Sequence, residues 1–458
     1  MKAPKNWPAP ALVAAAFILT AWAATLAVNW PGHLSYDSIL QLQQGRSGLY
    51  NNWHPPVMAW LLGLGDALVP GAGLFVALDC VLAFGALAAL VALNPARTTW
   101  LATAVALATV LSPQLLLYQG LVWKDILFAD AAIAGFASLG WAAARWEVLR
   151  FRIALLGAST LLLVLAALTR QNGMVLLPCA GAALGWIAAR QGTSRLRATG
   201  WGAGFLVGAL GLTAGATALL DLRSDGNSGP QEQVRLLQAY DLSGALAQRP
   251  DLPLTALADD PKLEQVLRTV GARLYTPVRN DPIASSPDFQ TAMEDADPDE
   301  VGAQWRLTMG SHPWLYLRLR AAAFYWVFAT PDIVAARPVF TGIEGPAPQM
   351  KALSISPRRD ARDHLLENYS KAFFGTPVFS HVTFAILAAA GLVLLLRRRR
   401  PADIAVAAML AGAFVFTASF FFISISSDYR YLYMPDLSAL AALLYLAADA
   451  KSAIEGTP

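Results

Sequence analysis

The sequence predicts an all-α polytopic membrane protein of about 10 transmembrane helices, and three observations carry that prediction. Of its 458 residues, 56% are hydrophobic and only 14% charged, against roughly 25% charged in soluble domains. The mean hydropathy is +0.46. Apolar runs recur near 10–29, 72–93, 101–118, 126–144, 153–169, 174–189, 198–220, 378–396, 403–424 and 430–448, each close to the ~20 residues that cross a hydrocarbon core.

Taken in order, the connections alternate in charge. Lys2 and Lys5 precede the first run, which no small-residue cleavage site follows, so it reads as a retained span. Arg97 lies between the second and third runs, and Arg145, Arg150 and Arg152 follow the fourth. Arg190, Arg195 and Arg197 follow the sixth, Arg397 to Arg400 the eighth, and Lys451 the last. The positive-inside rule puts these connections and both termini in the cytoplasm. Two shorter apolar stretches, 55–69 with Asp66 and 312–330 with Arg318 and Arg320, would each break the alternation if counted alone as a span. They are expected to lie on the outer interface, arginines toward headgroups.

Between Asp221 and Pro313 stand fifteen Asp/Glu against eight Lys/Arg. Helical periodicity at 231–248 and 261–274 predicts a small helical insert outside the membrane. The organisation is thus 1–220, an N-terminal transmembrane module with a first outer loop at 30–70; 221–377, insert and interfacial helix; and 378–458, C-terminal transmembrane helices. The net charge of +3 is too small to suggest nucleic acid. Cys80 and Cys179 fall inside apolar runs and read as packing residues. Asp79 and Asp130 lie deeper in spans, where interhelical hydrogen bonding is expected.

Polar groups gather at the outer turns. The first loop, "LSYDSILQLQQGRSGLYNNWHPPVMAW", offers Tyr36, Asp37, Arg46, Asn51, Asn52, Trp53 and His54. The turn "YQGLVWKDILFAD" supplies Trp123, Lys124 and Asp125; "LTRQNG" supplies Arg170, Gln171 and Asn172; "SISSDYRYLYMPD" supplies Asp428, Arg430, Tyr431 and Tyr433. Ionisable groups beside a bilayer are costly and are retained where they pair or function. A carboxylate that takes a proton from an acceptor hydroxyl, beside guanidiniums that fork onto phosphate, suffices for transferring a group from a lipid phosphate. Local ion pairs that merely stabilise each turn are the plainer reading.

On "YDSILQLQQGR", "HPPVMAWLLGLG" and "VWKDILFA", the chain resembles the GT-C superfamily of integral-membrane glycosyltransferases. "HPP" before an aliphatic-aromatic helix is similar to the protein O-mannosyltransferase and aminoarabinose-transferase branch, whereas "WKD" and "RQNG" look closer to an uncharacterised bacterial branch. The resemblance implies a multi-pass protein of a bacterial inner membrane with its site facing the periplasm. Its donor would be a polyprenyl-phosphate-linked sugar and its acceptor a lipid, glycan or protein; membrane lipids surround it and nucleic acid has no part. By position it implies Asp37, Asp125 and His54 as catalytic residues, Asp37 as general base, with Tyr36, Arg46, Lys124, Arg170, Asn172, Arg430 and Tyr431 binding substrate. Where studied branches often carry an Asp-Glu pair, this chain has Asp37-Ser38. No cofactor is therefore assigned, and a divalent metal stays open. The competing class is a transporter or lipid flippase, to which Asp79, Asp130 and Pro113 would belong, although no internal repeat supports it.

Overall fold

The computed structural model describes residues 7–93, 97–226 and 229–449; Lys2, Lys5 and Lys451 lie outside them. The helices are α1 (Ala9–Asn29), α2 (Tyr36–Ser47), α3 (Val57–Leu68), α4 (Gly73–Ala92), α5 (Trp100–Val110), α6 (Pro113–Leu116), α7 (Lys124–Ala144), α8 (Leu149–Thr169), α9 (Leu176–Arg190) and α10 (Arg195–Asp221). Then come α11 (Gly229–Gln248), α12 (Pro261–Val266), α13 (Ala272–Leu274), α14 (Asp281–Ala284), α15 (Pro287–Asp295), α16 (Pro298–Ser311), α17 (Pro313–Ala329), α18 (Ala347–Leu353), α19 (Ala361–Lys371), α20 (His381–Arg398), α21 (Pro401–Ile423) and α22 (Tyr433–Ala448). Among the described residues nine helices are long and apolar enough to cross a membrane, ten if one bent pair counts as a span. The chain is an all-α polytopic membrane protein.

The bent pair is α5 with α6 and its following turn, kinked by 59°. Pro113 has no N–H to give and its ring crowds the carbonyl four residues back, and the Ser112 hydroxyl donates to the Thr109 carbonyl at 2.7 Å. The kink leads the chain into the short turn Tyr118–Gly120 before α7 begins. Helix α7 is the centre of the bundle, with 89% of its apolar stretch buried against α4, α8, α21 and α22. Its small residues permit this: a Cβ on Gly135 would lie 2.7 Å from Leu163. By contrast α10 is only 17% buried.

Two hydrophobic cores are present. One fills the bundle; the other, built on Tyr240, Leu246, Leu267, Phe289 and Leu319, joins α11 to α17 in the insert. Helix α17 corrects one expectation. Arg318 is exposed, but Arg320 is 0% exposed and faces protein, not headgroups. Its Nη2 pairs with the buried Asp241, and its Nη1 donates to the Ser424 and Phe422 carbonyls at 3.0 and 3.3 Å. A guanidinium offers five donors, and this one is spent on joining the insert to the end of α21. The deep acids divide: Gln119 donates to Asp130 Oδ1 at 3.0 Å, as expected, whereas neither Asp79 oxygen has a hydrogen-bond donor among the described residues.

Candidate active site

The site is assembled by helix starts and ends at one end of the bundle. Ser35 and Ser38 open α2: the Ser35 N–H donates to Ser38 Oγ at 3.1 Å, satisfying one of the free amides of a helix start. The same two hydroxyls reach the strand-like link before α7, Ser38 donating to the Val122 carbonyl at 2.7 Å and Trp123 Nε1 donating to Ser35 at 2.8 Å. Asp37, in the first turn of α2, is thereby held near Asp125, in the first turn of α7, where each carboxylate also faces a favourable helix dipole.

Arg430 joins them. Its Nη2 donates to Asp37 Oδ2 at 2.8 Å and lies 3.4 Å from Asp428, while its Nε is 3.8 Å from Asp125 Oδ2. Asp125, 2% exposed, also pairs with Arg170 Nη1. Aromatic faces hold both guanidiniums flat. Arg430 lies 4.8 Å from the Trp123 ring, and Arg170 lies 5.4 to 5.6 Å from Phe420, Tyr431 and Phe416, within range for cation–π attraction. Asn172 receives Arg170 Nε at 3.4 Å and donates to Ser419 at 3.0 Å.

On the other side of Asp37 stands His54, its Nε2 3.8 Å from Asp37 Oδ1. Lys124 Nζ lies 2.9 Å from His54 Nδ1. With Lys124 as an ammonium, which only donates, Nδ1 accepts and the Nε2 proton is turned toward Asp37. Burial and the neighbouring Lys124 charge bring His54 down to about 4, so it is neutral at physiological pH. Burial alone would raise the Asp37 carboxyl; the nearby His54 and the Arg430 charge outweigh it and hold Asp37 well below the usual carboxylate range.

Eight of the ten residues singled out from the sequence therefore meet here: Asp37, His54, Lys124, Asp125, Arg170, Asn172, Arg430 and Tyr431. Tyr36 is 58% exposed beside Asp37. Arg46 stands apart: its Nε and Nη2 fork onto Asp66 at 2.7 and 2.8 Å, and its Nη1 donates to the Leu353 carbonyl at 2.7 Å, which leaves it fixing α2 to α3. Asp428 and Trp123, named in their turns without a role, join the cluster, and so do Phe416 and Phe420, which the sequence reading did not name. Phe416 and Phe420 lie within an apolar span, where nothing in the sequence distinguishes a guanidinium-facing ring from a lipid-facing one.

The groups do not fit a divalent metal. Asp37 and Asp125 already face guanidiniums, three cationic side chains surround them, and among the described residues no three His, Cys, Asp or Glu side chains form a ligand set. What the arrangement offers is a carboxylate at the rim, a neutral imidazole oriented toward it, and two guanidiniums whose partners are carboxylates.

No protein-family model and no curated protein matches this sequence. Among solved structures it is similar to the archaeal oligosaccharyltransferase AglB from Archaeoglobus fulgidus in complex with an inhibitory peptide and a dolichol-phosphate, at a TM-score of 0.39 and 14% identity. The likeness covers 96% of this chain and 52% of that one, so this chain spans about half the length of that protein.

Proposed function

We propose that the protein is a membrane glycosyltransferase that moves a sugar from a polyprenyl-phosphate donor to a lipid, glycan or protein acceptor at the non-cytoplasmic face, with Asp37 as general base. The observation that carries this reading is the 2.8 Å contact of Asp37 with Arg430, 393 residues away in sequence, inside a cluster that also holds Arg170, Lys124 and His54. The resemblance of the first-loop and "VWKDILFA" motifs to GT-C enzymes supports it independently.

In the resting site Arg430 weakens Asp37 as a base, because a paired carboxylate holds its proton poorly. A donor phosphate would compete with Asp37 for the same guanidinium, since phosphate accepts a bidentate fork as readily as carboxylate does. Once Arg430 turns to phosphate, Asp37 regains basicity and takes the acceptor hydroxyl proton as that oxygen attacks the anomeric carbon. The bond from that carbon to the phosphate oxygen breaks, and Arg430 and Arg170 receive the charge left on the phosphate. His54, fixed by Lys124, keeps the freed carboxylate oriented. The acidic insert would select the acceptor.

The test is transfer of labelled sugar from a synthetic polyprenyl-phosphate sugar by the purified protein in proteoliposomes. Covalent product is expected, and Asp37→Asn should lower its rate by about 10²–10⁴-fold, the usual worth of a general base. Flux of the donor across the bilayer without any product would favour the transport reading instead.

A further inference from the structure

At the end of the bundle opposite Asp37, the chain carries Arg145, Arg150, Arg152, Arg190, Arg195 and Arg197 around the feet of α8, α9 and α10. Around Asp37 guanidiniums meet carboxylates; here none of the six has a carboxylate partner among the described residues. Three rest on aromatic rings, with Arg152 4.9 Å from Trp146 and 5.8 Å from Trp201, Arg145 5.6 Å from Trp141, and Arg150 5.0 Å from Phe151. Rings orient a guanidinium but do not neutralise it.

Two shallow hollows, open to the outside of the bundle, flank α10 at this collar, each about 540 Å³. One runs between α8 and α10, with Arg197 and Trp201 in its wall; the other runs between α9 and α10, with Arg195 and Trp186 in its wall. Apart from those arginines the walls are almost wholly apolar. The first hollow is made by glycine: a Cβ at Gly157, Gly200 or Gly204 would meet nothing within 4 Å. Each hollow is therefore an open apolar groove beside a membrane helix, with a cation lacking a carboxylate in its wall. That is the complement of a lipid with an anionic head. Basic pockets between helices recognise such heads by charge, and each nearby Arg adds appreciably to the attraction.

We propose that the foot of α10 is an anionic-phospholipid site, with phosphate held at Arg195 and Arg197 and acyl chains lying in the two hollows. The site is separate from Asp37 and does not depend on what chemistry occurs there. Because α10 is only 17% buried by protein, the lipid would supply much of its packing.

Native mass spectrometry of the full-length protein tests this, after exchange into micelles holding equal amounts of phosphatidylcholine, phosphatidylglycerol and cardiolipin. Anionic lipid should be retained at least about fivefold over phosphatidylcholine, a ratio set by the worth of one basic side chain near a lipid phosphate. Arg195→Gln with Arg197→Gln should bring it down to the phosphatidylcholine level, and Arg195→Lys with Arg197→Lys should keep most of it. Gly204→Leu, which fills open space without changing charge, should also lower retention, and it serves if the glutamine pair fails to fold. Preference for cardiolipin would assign both hollows to one two-phosphate molecule, and preference for phosphatidylglycerol would give each its own; either supports the site. Equal retention of phosphatidylcholine, or undiminished anionic lipid in the glutamine pair and in Gly204→Leu, would overturn it.

Discussion

Asp37 and His54 show how single residues set the behaviour of the cluster. The folded chain protonates His54 only near pH 4, against 6.5 ordinarily. An unfolded chain therefore binds more protons across that interval, and folding stability falls as pH drops through it. Melting temperature measured between those two pH values should decline in the wild type and decline less in His54→Gln. Part of the slope should survive the substitution, because burial also brings His33 down to about 4. His33 accepts the Gly342 N–H at 2.9 Å and lies 3.4 Å from Asp363, so it ties the first loop to the segment before α20. A decline just as steep in His54→Gln would mean that the ring is charged in the folded state and that its assigned tautomer is wrong. The residue types around Asp37 were legible in the sequence, since four separate turns each offered costly ionisable groups. Their pairing was not, because Asp37 and Arg430 meet only through the fold.

The elements explain why that meeting is reproducible. Helices α2 and α3 cross at two glycines whose backbones touch: a Cβ on Gly63 would lie 2.3 Å from the Gly45 carbonyl oxygen, and one on Gly45 2.4 Å from that of Ala59. The crossing brings the chain from Asp37 back to His54, and Arg46 with Asp66 locks it. Gly63→Ala should cost about 1–3 kcal/mol through forced separation, measured by denaturant unfolding in detergent, and should lower activity by displacing His54. The insert is held by the buried Asp241–Arg320 pair. Removing one partner strands a buried charge, so Asp241→Leu should cost about 3–5 kcal/mol, while Asp241→Leu with Arg320→Met should recover most of it. No recovery in the double variant would show that the carbonyl contacts of Arg320 matter more than its carboxylate. Such features were hidden in the sequence for a physical reason. An arginine in an apolar helix looks the same whether it snorkels to headgroups or is buried on a partner, and α17 took the second course.

Across the whole molecule, the apolar spans followed from hydropathy alone, because a bilayer imposes one length and one solvation rule on every crossing helix. The bundle does more than carry the site. Its central helix α7 begins at Lys124 and Asp125, α8 ends beside Arg170, and the turn before α22 supplies Arg430, so three helix termini fix the charges that the first loop covers. In the proposed reaction Arg430 is shared in turn between Asp37 and a donor phosphate. Equilibrium binding of a polyprenyl-phosphate sugar to wild type and Asp37→Asn, with turnover followed on the same samples, tests it most directly. Loss of the competing carboxylate should make Asp37→Asn bind the donor more tightly while nearly abolishing transfer. Weaker or unchanged donor binding together with wild-type turnover would show that Arg430 is not shared in this way.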